Sequence, residues 1–450
     1  MPEKDAVRGF NVLYLHSHDT GRYIQPYGYN VPTPNLQRLA EDGVLFRKAF
    51  CACPTCSPSR AALLTGSYPH NNGMMGLAHR GFSLNDYGRH IVRTLQKAGY
   101  FCALAGVQHV DSGAGSHPRS GERIGYDIML DRTESPNAAK APPREERAAE
   151  FLKNPPKRPF FLSVGFVETH RAFPEPGPEE NPNYCLPPAP FPDAPETRRD
   201  MASFTRHARA LDRKMGRALD ALRESGLADK TLVVCTTDHG IAFPRMKCNL
   251  TDHGTGVMLI MRGPGGFEGG KVVDGMVSQI DLFPTLCDIL GIERPPWLQG
   301  KSILPLVRGE TAEIHDAVFT EVTYHASYEP MRAVRTKRWK YIRRFGDWKR
   351  PVLPNCDDSP TTTFWMEHGW GARPVADEDL YDLVFDPHEV NNLAQDRACA
   401  DTLRDMRRRL DAWMQETNDP LLKGPVAPPA GARINPVEQK SPQDPAVVVE

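Results

Sequence analysis

Short apolar runs alternate with helix-period segments along most of this chain, and few architectures accept that pattern. NVLYL (11–15), FCALAG (101–106), FFLSVGF (160–166), TLVVCTT (231–237) and VMLIM (257–261) read as buried strands. TPNLQRLAEDG (33–43) reads as a helix, with Thr33 as its N-cap, Pro34 at the first helical position and Gly43 past its end. From Asp200 to Gly226, apolar residues recur with a helical period at Phe204, Ala208, Leu211, Met215, Ala218 and Leu222. The βα alternation predicts an α/β fold: a large mixed, mostly parallel sheet sandwiched by helices.

Two stretches depart from it. Residues 174–195 hold nine prolines and read as a surface loop. After about 330, MRAVRT, RWKYIRRF and DLYDLVFDP are short, aromatic and turn-bounded. They predict a small carboxyl-terminal antiparallel sheet, followed by a helix at 399–416. The expected division is 1–325 for the catalytic α/β unit, 326–423 for a small α+β unit, and 424–450 for a Pro-rich tail extended over the surface.

Charge narrows the function classes. The chain has 55 Lys and Arg against 56 Asp and Glu, a net charge of −1, which argues against nucleic acid or a polybasic membrane contact as the main partner. No run approaches the roughly 18 apolar residues that span a bilayer. The opening MPEKDAVRGFNVLYL lacks the pattern of a signal peptide, so a cytoplasmic location is expected. Ten cysteines in 450 residues are too sparse for a disulfide scaffold.

The most informative stretch is CACPTCSPSRAALLTG (51–66). Cys51, Cys53 and Cys56 suggest a metal cluster, but three close thiols without a matching second group are a weak zinc signal. The other reading puts Cys56 where a loop enters a helix, so that free N–H groups and the helix dipole favour an anion beside it. Arg60, one turn on, adds a fixed positive charge. Cys-Ser-Pro-Ser-Arg followed by Leu-Thr-Gly resembles the sulfatase signature, and the resemblance runs over nearly the whole chain. It implies an alkaline-phosphatase-like fold, and a Cys56 oxidised to formylglycine (3-oxoalanine) by a formylglycine-generating enzyme. The hydrated aldehyde carries two hydroxyls, one to attack sulfur and one to expel sulfate afterwards.

The resemblance also implies a divalent metal, with ligands at the carboxyl ends of parallel strands. NVLYL runs into His16-Ser17-His18-Asp19, and TLVVCTT runs into Asp238-His239-Gly240. Where sulfatases usually carry Asp-Asp and Asp-Asn, this chain has His18-Asp19 and Asp238-His239. Calcium, the family default, prefers oxygen ligands, whereas imidazole suits manganese or another transition ion. Each His is a candidate ligand or a residue orienting a carboxylate. Asp252-His253-Gly254 repeats the Asp-His-Gly but precedes a strand, so it reads as a decoy, with a substrate-side role for His253 kept open.

Other candidates follow strand ends. After FCALAG the family's Gly-Lys-x-His is matched by Gly106 and His109, with Val107 in place of the lysine. Glu168-Thr169-His170 matches a Pro-His segment, and His170 is a candidate to protonate the leaving group or bind sulfate. Lys247 stands near the family's cation on the sulfate. DLYDLVFDPHEVNNLA (379–394) resembles the family's closing motif. HNNGMMGL, DHGIAFP and EVTYHASYEPMR are similar to the sulfamate-cleaving N-sulfoglucosamine sulfohydrolase branch, with His79 and His325 as candidate substrate contacts. The reading is therefore a metal-dependent sulfatase acting on a sulfate ester or sulfamate of a sugar or small molecule. A phosphonate or phosphodiester hydrolase on the same fold is the alternative, and a non-catalytic sulfoglycan-binding protein is a third. The partners are the sulfated substrate, the maturation enzyme and, as a further candidate, a second copy of the chain.

Overall fold

The computed structural model describes residues 9–111, 121–131 and 142–450. Its strands, in chain order, begin with β1 (Asn11–Ser17), β2 (Val44–Phe46), β3 (Ala49–Phe50), β4 (Phe101–Gly106), β5 (Ile128–Met129) and β6 (Phe160–Gly165). They continue with β7 (Thr231–Thr237), β8 (Gly256–Val257), β9 (Leu259–Arg262), β10 (Lys271–Val273) and β11 (Val277–Ser278). The main sheet has eight strands in the order β10-β2-β9-β7-β1-β6-β4-β5. From β7 to β5 all pairs are parallel, with β1 at the centre between β6 and β7. β9 runs antiparallel to both its neighbours, so the sheet is mixed and mostly parallel, as expected.

Side-chain alternation along β1 divides the core. Val12 and Tyr14 join the cluster holding Leu63 and Leu64, whereas Leu13 and Leu15 join the one holding Leu211, Met215 and Ala218. Covered on both faces, β1 reads as a continuous apolar run. The first helix, α1 (Pro34–Asp42), has the expected bounds, but the Thr33 hydroxyl makes no cap bond. It accepts instead from the Gln25 backbone N–H at 3.0 Å. The long helix Pro195–Glu224 starts inside the proline-rich stretch, with Pro195 in its first turn. There the ring costs nothing, because that N–H has no helical partner.

The small sheet comprises β12 (Ala317–Tyr324), β13 (Tyr328–Thr336), β14 (Trp339–Arg344) and β15 (Glu378–Asp382), all antiparallel. Its first strand precedes residue 326, so the sheet begins inside the stretch assigned to the catalytic unit. Val334, Tyr341 and Leu380 pack on Leu410 and Trp413 of the helix Ala400–Glu416, and the same cluster takes in Ala52 and Ala62. The small sheet thus braces the segment that carries Cys56. The tail folds back as a ribbon pairing Arg433–Ile434 with Val447–Val448. Among the described residues, no helix is long and apolar enough to cross a membrane.

Candidate active site

The site lies where the loops after β1, β4, β6 and β7 meet the head of α2 (Cys56–Thr65), at the carboxyl ends of the parallel strands. Backbone bonds continue the sheet register beyond the strands. His18 N–H donates to Glu168 O at 2.9 Å, Thr169 N–H to His18 O at 2.7 Å, and Gly21 N–H to His239 O at 2.9 Å. The loops also approach too closely for side chains: a Cβ on Gly165 would sit 1.9 Å from Val107 O, and one on Gly240 would sit 1.9 Å from His253 O. Asp19 and His109 both hold left-handed backbone, at φ 49° and 58°. Such conformations are uncommon outside glycine and concentrate at functional sites.

Asp238 organises the centre. One carboxylate oxygen accepts from the backbone N–H of Asp19 at 2.8 Å and of His239 at 3.0 Å. The other accepts from Arg60 Nη2 at 2.9 Å and faces His18 Nδ1 at 3.2 Å. Burial alone would raise this carboxyl, but His239, Arg60 and His18 outweigh it and hold it well below the usual carboxylate range. Arg60 also donates to His16 Nδ1 at 2.6 Å and Ser17 O at 2.7 Å. His16, unread in the sequence as a site residue, therefore orients the guanidinium.

Cys56 is the first residue of α2 and is buried. Its sulfur lies 3.4 Å from His239 Nε2 and 4.0 Å from Asp19 Oδ1. Burial pushes the thiol well above its ordinary range, and Asp19 and Asp238 add to the effect, so the unmodified thiol keeps its proton at neutral pH. Lys247 Nζ sits 3.0 Å from Asp19 Oδ2 and 3.0 Å from Asp357 Oδ2. Asp357 is the second residue that sequence reading missed. The His18 ring centroid lies 5.6 Å from those of both His109 and His170, and His79 Nδ1 meets His109 Nε2 at 3.1 Å. His325 is buried within the influence of Lys247 and Asp357. All nine residues expected in the site, His18, Asp19, Cys56, Arg60, His109, His170, Asp238, His239 and Lys247, thus converge on one locus.

The donor set fits a divalent ion. One ligand atom from each of His18, Asp19, Cys56 and Asp238 lies within 4.8 Å of the others. His239 Nε2 faces Asp19 Oδ1 at 3.3 Å, while its Nδ1 lies 3.0 Å from Gly240 O. A proton on Nδ1 bonded to that carbonyl leaves the Nε2 lone pair free for a metal. Burial and Arg60 push His18 down to about 4, so its ring is neutral at pH 7. Among the described residues, Cys51 and Cys53 belong to no such cluster: Cys51 packs in the main core and Cys53 against the small sheet. A separate group, His70, Glu321 and Asp419, is filled by Arg332, whose Nη2 donates to Asp419 at 3.0 Å. His253 sits in a separate pocket of about 350 Å³, with Nδ1 2.7 Å from Tyr23 OH and Nε2 3.3 Å from His388 Nδ1. Asp252 pairs with Arg335 and Lys340. That second Asp-His-Gly thus stands outside the Cys56 cluster, its Asp held by cations and its His ring in a pocket of its own.

Glu329 borders the cavity that reaches Lys247. Burial raises its carboxyl from 4.5 to about 7, although the Asn355 amide pulls the other way. The unfolded chain ionises this group first, so stability falls as pH rises from 4.5 to 7. Glu329→Gln should flatten that part of the melting-temperature profile by a few degrees; an unchanged slope would remove Glu329 as its source.

A mixed, mostly parallel sheet with a strand-end cluster of Asp, His and Cys, and a small antiparallel sheet behind it, is an alkaline-phosphatase-like architecture. The chain belongs to the sulfatase family, whose model matches residues 11–292, and is a hydrolase of that class, acting on sulfate esters or sulfamates. A second model, N-sulphoglucosamine sulphohydrolase, C-terminal, matches residues 246–362. The chain is 31% identical to an N-sulphoglucosamine sulphohydrolase of Homo sapiens, over 93% of this chain and 92% of the relative. It is 28% identical to an ulvan-active sulfatase of Formosa agariphila, over 96% of this chain and 86% of that one. Its fold matches the crystal structure of a putative sulfatase from Bacteroides thetaiotaomicron with a TM-score of 0.70 at 23% identity, covering 94% and 96% of the two chains.

Proposed function

We propose that this chain cleaves the sulfamate or sulfate ester of an amino sugar, using a formylglycine made from Cys56 by a formylglycine-generating enzyme. The observation that carries the reading is the position of Cys56, at a helix head between His239 and Asp19. The relatives named above, one an N-sulphoglucosamine sulphohydrolase, support the substrate class. Oxidised and hydrated, Cys56 supplies two hydroxyls on one carbon, one for attack on sulfur and one for release of sulfate. His18, Asp19, Asp238 and His239 would hold a divalent ion, whose charge would acidify the attacking hydroxyl and neutralise sulfate oxygens.

The remaining work falls to the chain's own side chains. Arg60 braces Asp238 and brings fixed positive charge beside the helix head. Lys247, held between Asp19 and Asp357, offers a second cation to the anionic group. His109 and His170 flank His18; burial holds His109 well below the usual imidazole range, so His170 is the candidate to hand a proton to the departing amine or alcohol. Water is excluded by the burial of Cys56, Asp19, Asp238 and His239, which strengthens each of these charges.

Two His and two Asp make a less anionic, softer ligand set than carboxylates and an amide alone. Stripped protein should therefore regain activity with Mn²⁺ or another transition ion better than with Ca²⁺. Reconstitution ion by ion, with N-sulfoglucosamine and 4-nitrophenyl sulfate as substrates, tests both metal and substrate. Full activity with Ca²⁺ and no gain with Mn²⁺ would refute the mixed-ligand site. Turnover of a nitrophenyl phosphonate monoester faster than either sulfur substrate would overturn the sulfatase reading in favour of a phosphonate hydrolase. The Asp238-His239 pair and Val107 motivate that arm.

A further inference from the structure

The tail from Gly424 returns to the segments that carry His79 and Ser327. Asn435 N–H donates to Ala326 O at 2.9 Å, and Ser327 Oγ donates to Asn435 O at 2.7 Å. Arg80 Nη1 reaches Asn435 Oδ1 at 2.7 Å and Arg433 O at 3.1 Å. These bonds bring Arg433 over the segment that carries His79, where its Nη2 donates to His79 O at 2.8 Å. The His79 ring touches His109, which lies against His18. Arg433 is thus two side chains away from the proposed metal ligands, and it is exposed.

What sets this arrangement apart is that two arginines without a carboxylate partner lie side by side next to the site. Several arginines of the fold are matched by carboxylates, such as Arg171 by Asp200, Arg332 by Asp419, Arg335 by Asp252, and Arg338 by Asp382, whereas others, such as Arg22 and Arg144, bond to backbone carbonyls. Arg80 and Arg433 hydrogen-bond only to backbone carbonyls and an amide oxygen. Among the described residues, no carboxylate forms an ion pair with either. Two neighbouring guanidinium groups without a counter-charge repel each other, and the fold fastens them together beside His79, whose ring meets His109 of the site. An anionic group arriving from solvent relieves that repulsion and meets a planar fork suited to it.

We propose that Arg433, fastened by Arg80 and the folded-back tail, binds a second anionic group of the substrate. That group is a sulfate or a carboxylate on the same sugar or its neighbour. The proposal rests on the reading that the Cys56 cleft takes one sulfate of a sugar, and it makes the tail a determinant of specificity.

Calorimetric binding to the full-length Cys56→Ala protein, which retains the cleft without turnover, tests it. The probes are N-sulfoglucosamine, glucosamine-2-N,6-O-disulfate, and a disaccharide of N-sulfoglucosamine and glucuronate. At least one doubly charged probe should bind about tenfold more tightly than N-sulfoglucosamine, and which one does so tells sulfate from carboxylate. Adding Arg433→Gln should abolish that preference, and Arg433→Lys, which keeps the charge but not the planar fork, should keep only part of it. The proposal is overturned if N-sulfoglucosamine binds as well as both others, or if the preference survives Arg433→Gln. It is equally overturned if Arg433→Gln weakens all three probes alike, since the tail is then a latch only. Failure of every probe to bind overturns the sugar-sulfate reading itself, and this proposal with it.

Discussion

Cys56→Ala protein should fold and melt like the parent and lose turnover by a factor on the order of 10⁴ or more, as removal of a covalent nucleophile does elsewhere. The substitution removes one buried sulfur whose nearest polar neighbours, His239 Nε2 and Asp19 Oδ1, are 3.4 and 4.0 Å away. Those neighbours stay paired with each other and with Lys247, so the stability cost is small. Cys56→Ser should be as inactive, because one hydroxyl on that carbon cannot perform both steps. Steady-state rates and thermal melts on the same preparations check this. Parent-like turnover in either variant would remove Cys56 from the chemistry, and a large fall in melting temperature would leave its role structural. Cys51 and Cys53 should be dispensable for catalysis.

Asp238→Ala should be the most damaging single change at the site for stability as well as activity. Its carboxylate accepts two backbone N–H bonds and the Arg60 guanidinium, and it is almost wholly buried. Without it, Arg60 stays buried against a His ring and a backbone carbonyl, with no counter-charge. Breaking a buried pair from one side costs about 3–5 kcal/mol, which denaturant unfolding resolves. Asp238→Asn keeps the shape and accepts the same backbone bonds, so it should fall less in stability while losing activity to a similar degree. Equal midpoints for the Ala variant and the parent would show that Arg60 finds another partner.

The sheet and its strand ends were legible because β1, β6 and β7 are buried on both faces, and continuous apolar runs mark such strands. Residues directly after such runs inherit the carboxyl end of the sheet, and that position together with the resemblance to the sulfatase motifs singles out His18, Asp19, His109, His170, Asp238 and His239. Pairing direction was less legible. VMLIM carries no trace of β9 being antiparallel, since a strand with both faces covered looks the same either way. His16 lay within the first strand-end run, but nothing local marks it as the partner of a guanidinium forty-four residues on. Asp357 sits in a loop of ordinary composition, and its pairing with Lys247 exists only once the small sheet is docked. The tail's Pro-rich composition predicts only an extended surface segment. Its anchors, Asn435 and Arg433, act through partners more than a hundred residues away, beyond the reach of any local pattern. His253 illustrates the converse: an attractive Asp-His-Gly motif held by Tyr23 and His388 in a pocket of its own.

The central claim is that activity resides in an oxidised Cys56. It is tested most directly by measuring, in preparations made with graded co-expression of a formylglycine-generating enzyme, the fraction of the 51–66 segment that carries an aldehyde. Mass spectrometry of that peptide should be paired with the turnover of N-sulfoglucosamine by the same preparation. The account predicts turnover proportional to the aldehyde fraction and vanishing with it. Full turnover in a preparation whose Cys56 is entirely thiol would contradict it.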